Sequence, residues 1–250
     1  MPTITHLYRY PIKGLSPEPL QRVAVQAGEM MPLDRCFALA HETTEFDPAA
    51  PEHLPKIKFL MLMKNERLGA LHTFYDHSTH ILQIYHNDKL LAKGDLQNVE
   101  GRQAIENFFA DYLGDEIRGT PKLVQAPGHR FSDVNAKVLS CLNLNSLREL
   151  EKKRGIEIDP RRFRANIYFD DAPPWAELDW VGKELTLGTA KVRGLKMIKA
   201  CAATNVNPQT AARDLEIPQT LLNTYGHPNW GIYMQVIQDG ELAVNDEFLS

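Results

Sequence analysis

The sequence predicts an α+β fold made of two β-rich, barrel-like units, each covered by one or two helices. Three observations carry this. Most hydrophobic runs are short and bounded by turn residues, only a few segments show a helical period, and Gly-Pro punctuation falls near the middle of the chain. At 250 residues the chain has room for one large domain or two small ones. Gly119-Thr120-Pro121 and Ala126-Pro127-Gly128 are the best boundary candidates, which places the two units at residues 1–120 and 121–250.

In chain order, Ile4–Tyr8, Arg22–Val25 and Arg35–Leu39 read as strands. Pro48, Pro51 and Pro55 make the next stretch a loop. Leu71–Asp76 and His80–Tyr85 flank a His77-Ser78-Thr79 turn, and Asn87-Asp88 marks another, so a meander of hairpins is expected. Ala104, Ile105, Phe108, Phe109, Tyr112 and Leu113 then recur at three- and four-residue spacing. They predict a helix from about Val99 to Leu113, stopped by Gly114.

The second unit opens with a strand at Lys137–Leu139. A helix follows, with Ser146-Leu147-Arg148-Glu149 as a capping box and Gly155 behind a basic last turn. Strands are expected at Asn166–Phe169, Glu184–Leu187, Ala190–Arg193 and Ile232–Ile237. Asp239-Gly240 reads as a hairpin turn into Glu241–Val244. Pro218 to Tyr225, with Gly226 behind, reads as a short helix.

Composition narrows the function. A net charge of −4 argues against a nucleic-acid coat or a polybasic membrane anchor. The longest apolar run, Phe59 to Met63, is too short to span a bilayer, and no basic start with an apolar stretch marks a secretory signal. Three widely spaced cysteines without a C-x-x-C pair exclude a disulfide framework, and a reducing, cytoplasmic setting is expected. There is no G-x-x-x-x-G-K-[ST], strand-linked G-x-G-x-x-G or G-x-S-x-G.

The charge is locally uneven. Arg148, Lys152, Lys153, Arg154, Arg161, Arg162 and Arg164 crowd one stretch, and Lys191, Arg193, Lys196 and Lys199 follow without an acid among them. Arginine clamps phosphate through paired hydrogen bonds, so this region is a candidate anion site; a solvated basic face is the plainer alternative. Cys201, next to that stretch, is either a nucleophile or soft metal ligand or a small buried hydrophobe. His72, His77, His80 and His86 gather at predicted turns and read as surface histidines. Trp175, Glu177 and Trp180 follow Pro173-Pro174 in a loop that either lines a pocket mouth or caps a barrel end.

Tyr10-Pro11-Ile12-Lys13-Gly14 and Leu33-Asp34-Arg35 resemble the opening of the β-barrel domain that precedes MOSC domains, the molybdenum cofactor sulfurase C-terminal family. Phe131-Ser132-Asp133, Arg162-Phe163-Arg164-Ala165-Asn166, Trp175-Ala176-Glu177, Trp180, Cys201 through Thr210, and Gly231-Ile232-Tyr233 resemble the MOSC pattern in order. The resemblance implies a molybdenum–molybdopterin cofactor in a cleft between two barrels and reduction of N-hydroxylated compounds. Cys201 is then the metal ligand and catalytic residue. Lys13, Arg35, Asn143, Arg164, Asn166 and Thr204 hold the cofactor, and Glu177 is a pocket residue. With only three cysteines, electrons are expected from a separate donor protein, the other partner being a small-molecule substrate.

The chain departs from the family pattern at Gly14 (usually Ser), Ala200 (commonly Arg), Asn207 (Asp), Ala165 (Pro), Asn143 (Ser) and Asn245 (Gly). Gly14 and Ala200 remove a hydroxyl and a cation near the expected anion, each lost bond costing about 1.5–3 kcal/mol. Two alternatives therefore stand beside the reductase: a sulfur carrier forming a persulfide on Cys201, and a non-catalytic anion- or pterin-binding module.

Overall fold

A computed structural model of the chain describes residues 1–117 and 119–249. Its first strands are β1 (Thr3–Arg9), β2 (Glu18–Leu20), β3 (Arg22–Val25), β4 (Ala38–Ala40), β5 (His72–Asp76), β6 (Ile81–His86) and β7 (Lys89–Asp95). The others are β8 (Lys122–Val124), β9 (Leu139–Asn143), β10 (Ile167–Asp170), β11 (Glu184–Leu187), β12 (Ala190–Lys199), β13 (Asn229–Gln238), β14 (Gly240–Ala243) and β15 (Phe248–Leu249). The helices are α1 (Val99–Leu113), α2 (Leu144–Arg154) and α3 (Ile217–Tyr225). The fold is α+β, as the sequence predicts.

One mixed sheet of eight strands, ordered β15-β11-β12-β13-β9-β10-β1-β2, dominates the molecule. Its one parallel pair is β9 and β10. Parallel neighbours need a crossover, and α2 supplies it. Buried Ile4, Leu7, Leu139, Ile167, Phe169, Val192, Ile232 and Met234 pack into one core. A second core, above the β8 end of α1, joins Ile105, Phe109 and Leu113 of the helix to Leu82 and Ile84 of the β5-β6-β7 sheet. A third lies under α2 and α3, around Leu147, Leu150, Leu221, Tyr168 and Trp230.

Local signals are realised where they are complete. Asn98 caps α1 by accepting from Gly101 N at 2.7 Å, and the helix ends at Gly114. Asn87 and Asp88 both take positive φ (49° and 60°), which lets a two-residue turn join β6 to β7. Gly155 and Gly226 take left-handed conformations behind α2 and α3.

Four expectations are corrected. The strand expected at Arg35–Leu39 begins only at Ala38, because Leu33 and Arg35 adopt positive φ and Arg35 N bonds back to Tyr10 O. The strand expected from Lys137 starts at Leu139. Ser146 does not cap α2. The helix begins at Leu144 with Asn143 as its cap, accepting from Asn145 N at 3.0 Å. Asp239-Gly240 is not a hairpin turn either. β14 pairs with β3 rather than β13, and Asp239 accepts from Ala27 N at 2.7 Å.

The first strands also cross the expected boundary at residue 120. β1 pairs with β10 in the eight-stranded sheet and β3 with β14 in a separate two-stranded sheet, so residues 3–25 are paired with strands of the second half. This puts Tyr10 to Gly14, immediately after β1, beside the segments that precede β9 and β10 and the turn that follows β12.

Candidate functional site

A cleft of about 130 Å³ lies where these segments meet. Two of its lining arginines rest on a ring behind them. Tyr10 is fully buried, and the guanidiniums of Arg35 and Arg164 lie over it at 5.0 and 4.3 Å from the ring centroid. Burial, the largest cause, pushes the Tyr10 hydroxyl up to about 12, so it remains a neutral platform. Such cation–π contacts hold cations in place without neutralising them.

The two arginines are prepared differently. Arg35 pairs with the buried carboxylate of Asp34 and donates to Arg164 O at 3.2 Å. Its burial opposes its charge, yet Asp34 raises its pKa above the ordinary arginine value. Among the described residues Arg164 has no carboxylate partner, and its Nη2 is buried without any acceptor. Burial holds its pKa below the ordinary value. Both residues sit in the left-handed region, at φ 49° and 55°, a conformation that costs a non-glycine residue free energy and clusters at functional sites.

Lys13, 6% exposed, completes the cationic group. Its Nζ donates to Phe131 O at 2.9 Å and pairs with Asp133. Burial lowers the Lys13 pKa; the same ion pair, outweighing burial, lowers that of Asp133.

Cys201 lies across the cleft at the end of the β12 segment, heading a tight turn at Ala202–Asn205. Thr204 closes this turn: its Oγ1 donates to Cys201 O at 2.8 Å and its N to the same oxygen at 2.9 Å. Arg162 braces it from below, donating to Asn205 O at 3.1 Å and pairing with Asp214 at 2.7 Å. Arg213 ties the loop to the first half through Leu62 O, Met63 O and Glu66. Cys201 is half-buried, whereas Cys36 and Cys141 are buried in the second and first cores. Among the described residues no three His, Cys, Asp or Glu side chains gather to hold a metal, so Cys201 offers a single thiol.

The structure thus brings Lys13, Arg35, Arg164, Asn166, Cys201 and Thr204 to one cleft. Asn166 lines it with its side chain already engaged: Oδ1 accepts from Ser140 N and Oγ, and Nδ2 donates to Tyr8 O at 3.2 Å. Asn143 is not among the lining residues. Its amide is spent capping α2 and donating to Pro173 O and Glu177. Glu177 is corrected as well. It is fully buried away from the cleft, accepting from Asn143 and from Ser146 at 2.9 Å.

Gly14 lines the cleft at φ +85°, and a Cβ there would stand 3.2 Å from Leu60 O. The backbone at this position suits glycine. Ala200 packs against the third core, and its N donates to Pro228 O. Tyr10, Asp133, Ser140 and Tyr233 were not expected in the site. Tyr10, Asp133 and Tyr233 lie inside quoted motifs, so their proximity was a readable signal; nothing in the sequence marks Ser140.

This arrangement can meet an anion with three cations, two of them already paired with carboxylates, and present a thiol in the same cleft. No helix among the described residues is long and apolar enough to cross a membrane.

Residues 128–248 match the family model of the MOSC domain. Over 123 residues, 48% of this chain, the sequence is 28% identical to molybdenum cofactor sulfurase of Drosophila willistoni. The chain spans only 15% of that protein's length. YiiM from Geobacillus stearothermophilus is 19% identical, with 44% of this chain and 52% of that one covered at a TM-score of 0.35. The YUAD protein from Bacillus subtilis is 11% identical, with 99% and 94% covered at a TM-score of 0.45. The matched region contains Arg164, Asn166, Cys201 and Thr204 and leaves out Lys13 and Arg35.

Proposed function

Since this is a MOSC-domain protein through residues 128–248, we propose that it binds a molybdenum–molybdopterin cofactor in the cleft and reduces N-hydroxylated compounds with electrons from a separate donor protein. The observation that carries the reading is convergence. Lys13, Arg35, Arg164 and Cys201 line one cleft, and Arg164 Nη2 is buried without an acceptor.

The residues present fit such a group. A buried guanidinium lacking an acceptor is costly, and a ligand phosphate oxygen would supply one. Lys13, Arg35 and Arg164 would hold the phosphate, and Cys201 Sγ the metal, for which a soft thiolate suits. When bound, the group supplies the two-electron redox chemistry that cleaving an N–O bond to an amine and water requires. Thr204 fixes the direction of the Cys201 turn through their 2.8 Å bond. Tyr10 keeps the two guanidiniums over one ring, so the anion meets charges already placed.

The test is molybdenum and oxidised-pterin content of protein from a cofactor-making host, wild type beside Cys201→Ser. Near one of each per wild-type chain, with metal lost in the variant, is expected. Neither in wild type, or full metal and N-reductase activity in Cys201→Ser, sinks the reading.

A second reading, a sulfur carrier, is favoured by one observation: Cys201 is the cysteine that solvent can reach. The matched relative's name also points to sulfur transfer. It predicts sulfane sulfur on Cys201 after cofactor-free protein is incubated with a cysteine desulfurase and cysteine.

A further inference from the structure

Behind the arginine wall lies a second cavity. It encloses about 270 Å³ and shares Gly14, Leu62, Arg162 and Arg164 with the first cleft. Cys201, Lys13 and Arg35 do not line it, so Arg164 borders both cavities and the thiol only the first.

Its walls differ in kind from those of the first cleft. Leu15, Pro17, Leu71 and Pro208 supply apolar surface, and Tyr8 and His72 add flat rings. The polar end is the shared partition. There Arg162 Nε and Arg164 Nη2 are both buried without acceptors, although Arg162 is otherwise fully engaged with Asn205 and Asp214. Two unpartnered cationic donors at one end of an apolar chamber call for a ligand with an acceptor at one end and a flat apolar body.

We propose that this second cleft binds a planar aromatic monoanion, its carboxylate against the Arg162–Arg164 wall and its ring against Tyr8, His72 and the proline edges. Arg164 borders both clefts, so an anion in either draws on the same guanidinium. Occupancy of one cleft therefore weakens the other, and the effect is reciprocal. The site exists whether or not the first cleft holds a cofactor.

The probe is 2-naphthoate, titrated calorimetrically at low salt into cofactor-free protein. Saturable one-site binding is expected, weakened about tenfold or more by His72→Trp and by Pro208→Trp, which place a bulky ring in the chamber. Neither residue lies in a hydrophobic core, and two variants keep the test readable if one misfolds. The neutral 2-naphthamide should bind about tenfold more weakly, and saturating inorganic phosphate should raise the naphthoate Kd severalfold. No saturable binding by wild type, undiminished binding in both tryptophan variants, or equal affinity for the amide overturns the proposal. A phosphate-independent Kd overturns the coupling. Absence of molybdenum from wild-type protein strikes the cofactor reading alone, because the naphthoate titration does not depend on it.

Discussion

Two buried charged clusters in this molecule are built on opposite plans. Around Glu177, the carboxylate accepts from Asn143 Nδ2 and Ser146 Oγ, Trp175 N donates to Ser146 Oγ at 2.8 Å, and the group is sealed under α2. Around Tyr10, Arg164 is left with a buried donor that nothing accepts, and the group opens on a cleft. The Glu177, Asn143 and Ser146 side chains all find partners without a ligand, although Trp175 Nε1 beside them is buried without an acceptor. The second cluster is incomplete, and its imbalance is what makes it a binding site. Burial and charge alone do not separate the two; the hydrogen-bond inventory does.

The largest effect should come from breaking the Glu177 cluster. Asn143→Ala removes the α2 cap and a Glu177 donor together and should cost about 2–4 kcal/mol in denaturant unfolding. A cost near zero would mean that the Glu177 cluster is no more structural than the Arg164 cluster.

Titration distinguishes the clusters next. Burial raises the Glu177 pKa from 4.5 to about 7. Between those values the folded protein keeps a proton that the unfolded chain has released. Stability should therefore fall as pH rises through that window, by on the order of 3 kcal/mol, and level off above it. Unfolding free energies at pH 5 and pH 7.5 should show the slope in wild type and its loss in Glu177→Gln; equal slopes would refute it.

The incomplete cluster should behave in the reverse sense. Arg164→Ala should change unfolding free energy by no more than about 1 kcal/mol, because lost cation–π contact and relieved burial oppose each other. Phosphate affinity, read by titration, should fall about ten- to a hundredfold, the 1.5–3 kcal/mol of a charge-assisted bond. A variant that loses stability but keeps phosphate binding would make Arg164 a structural residue.

The smallest effect concerns the wall they share with the first half. Gly14→Ser should destabilise by about 1–2 kcal/mol, since a side chain is forced into φ +85°, and should leave phosphate affinity unimproved. Tighter phosphate binding would show that the missing hydroxyl had weakened the site.

Much of the site was legible because its residues come in compact motifs. Lys13, Arg35, Arg164, Asn166, Cys201 and Thr204 were all expected together, and they meet. Asn143 and Glu177 were expected with them and belong elsewhere. A polar residue next to a strand end serves equally as ligand or cap, and only its partners decide which. Ser146 misled for the same reason: its spacing to Glu149 fits a capping box, but Glu177, distant in sequence, claims the hydroxyl.

What the sequence determined by itself is whatever depends on neighbours a few residues away. The period of α1, the Asn87-Asp88 turn and the glycine stops at 155 and 226 follow from local sterics and short-range hydrogen bonds. The tertiary structure alone decided which strands meet, that β1 joins β10 and β14 turns to β3 instead of closing a hairpin. It also decided that Arg164 would lack an acceptor while Glu177 has its full set. Those outcomes rest on contacts between groups more than 200 positions apart, as in Arg22 beside Ala243, and a local pattern carries no record of such a pairing because every strand offers the same backbone donors and acceptors.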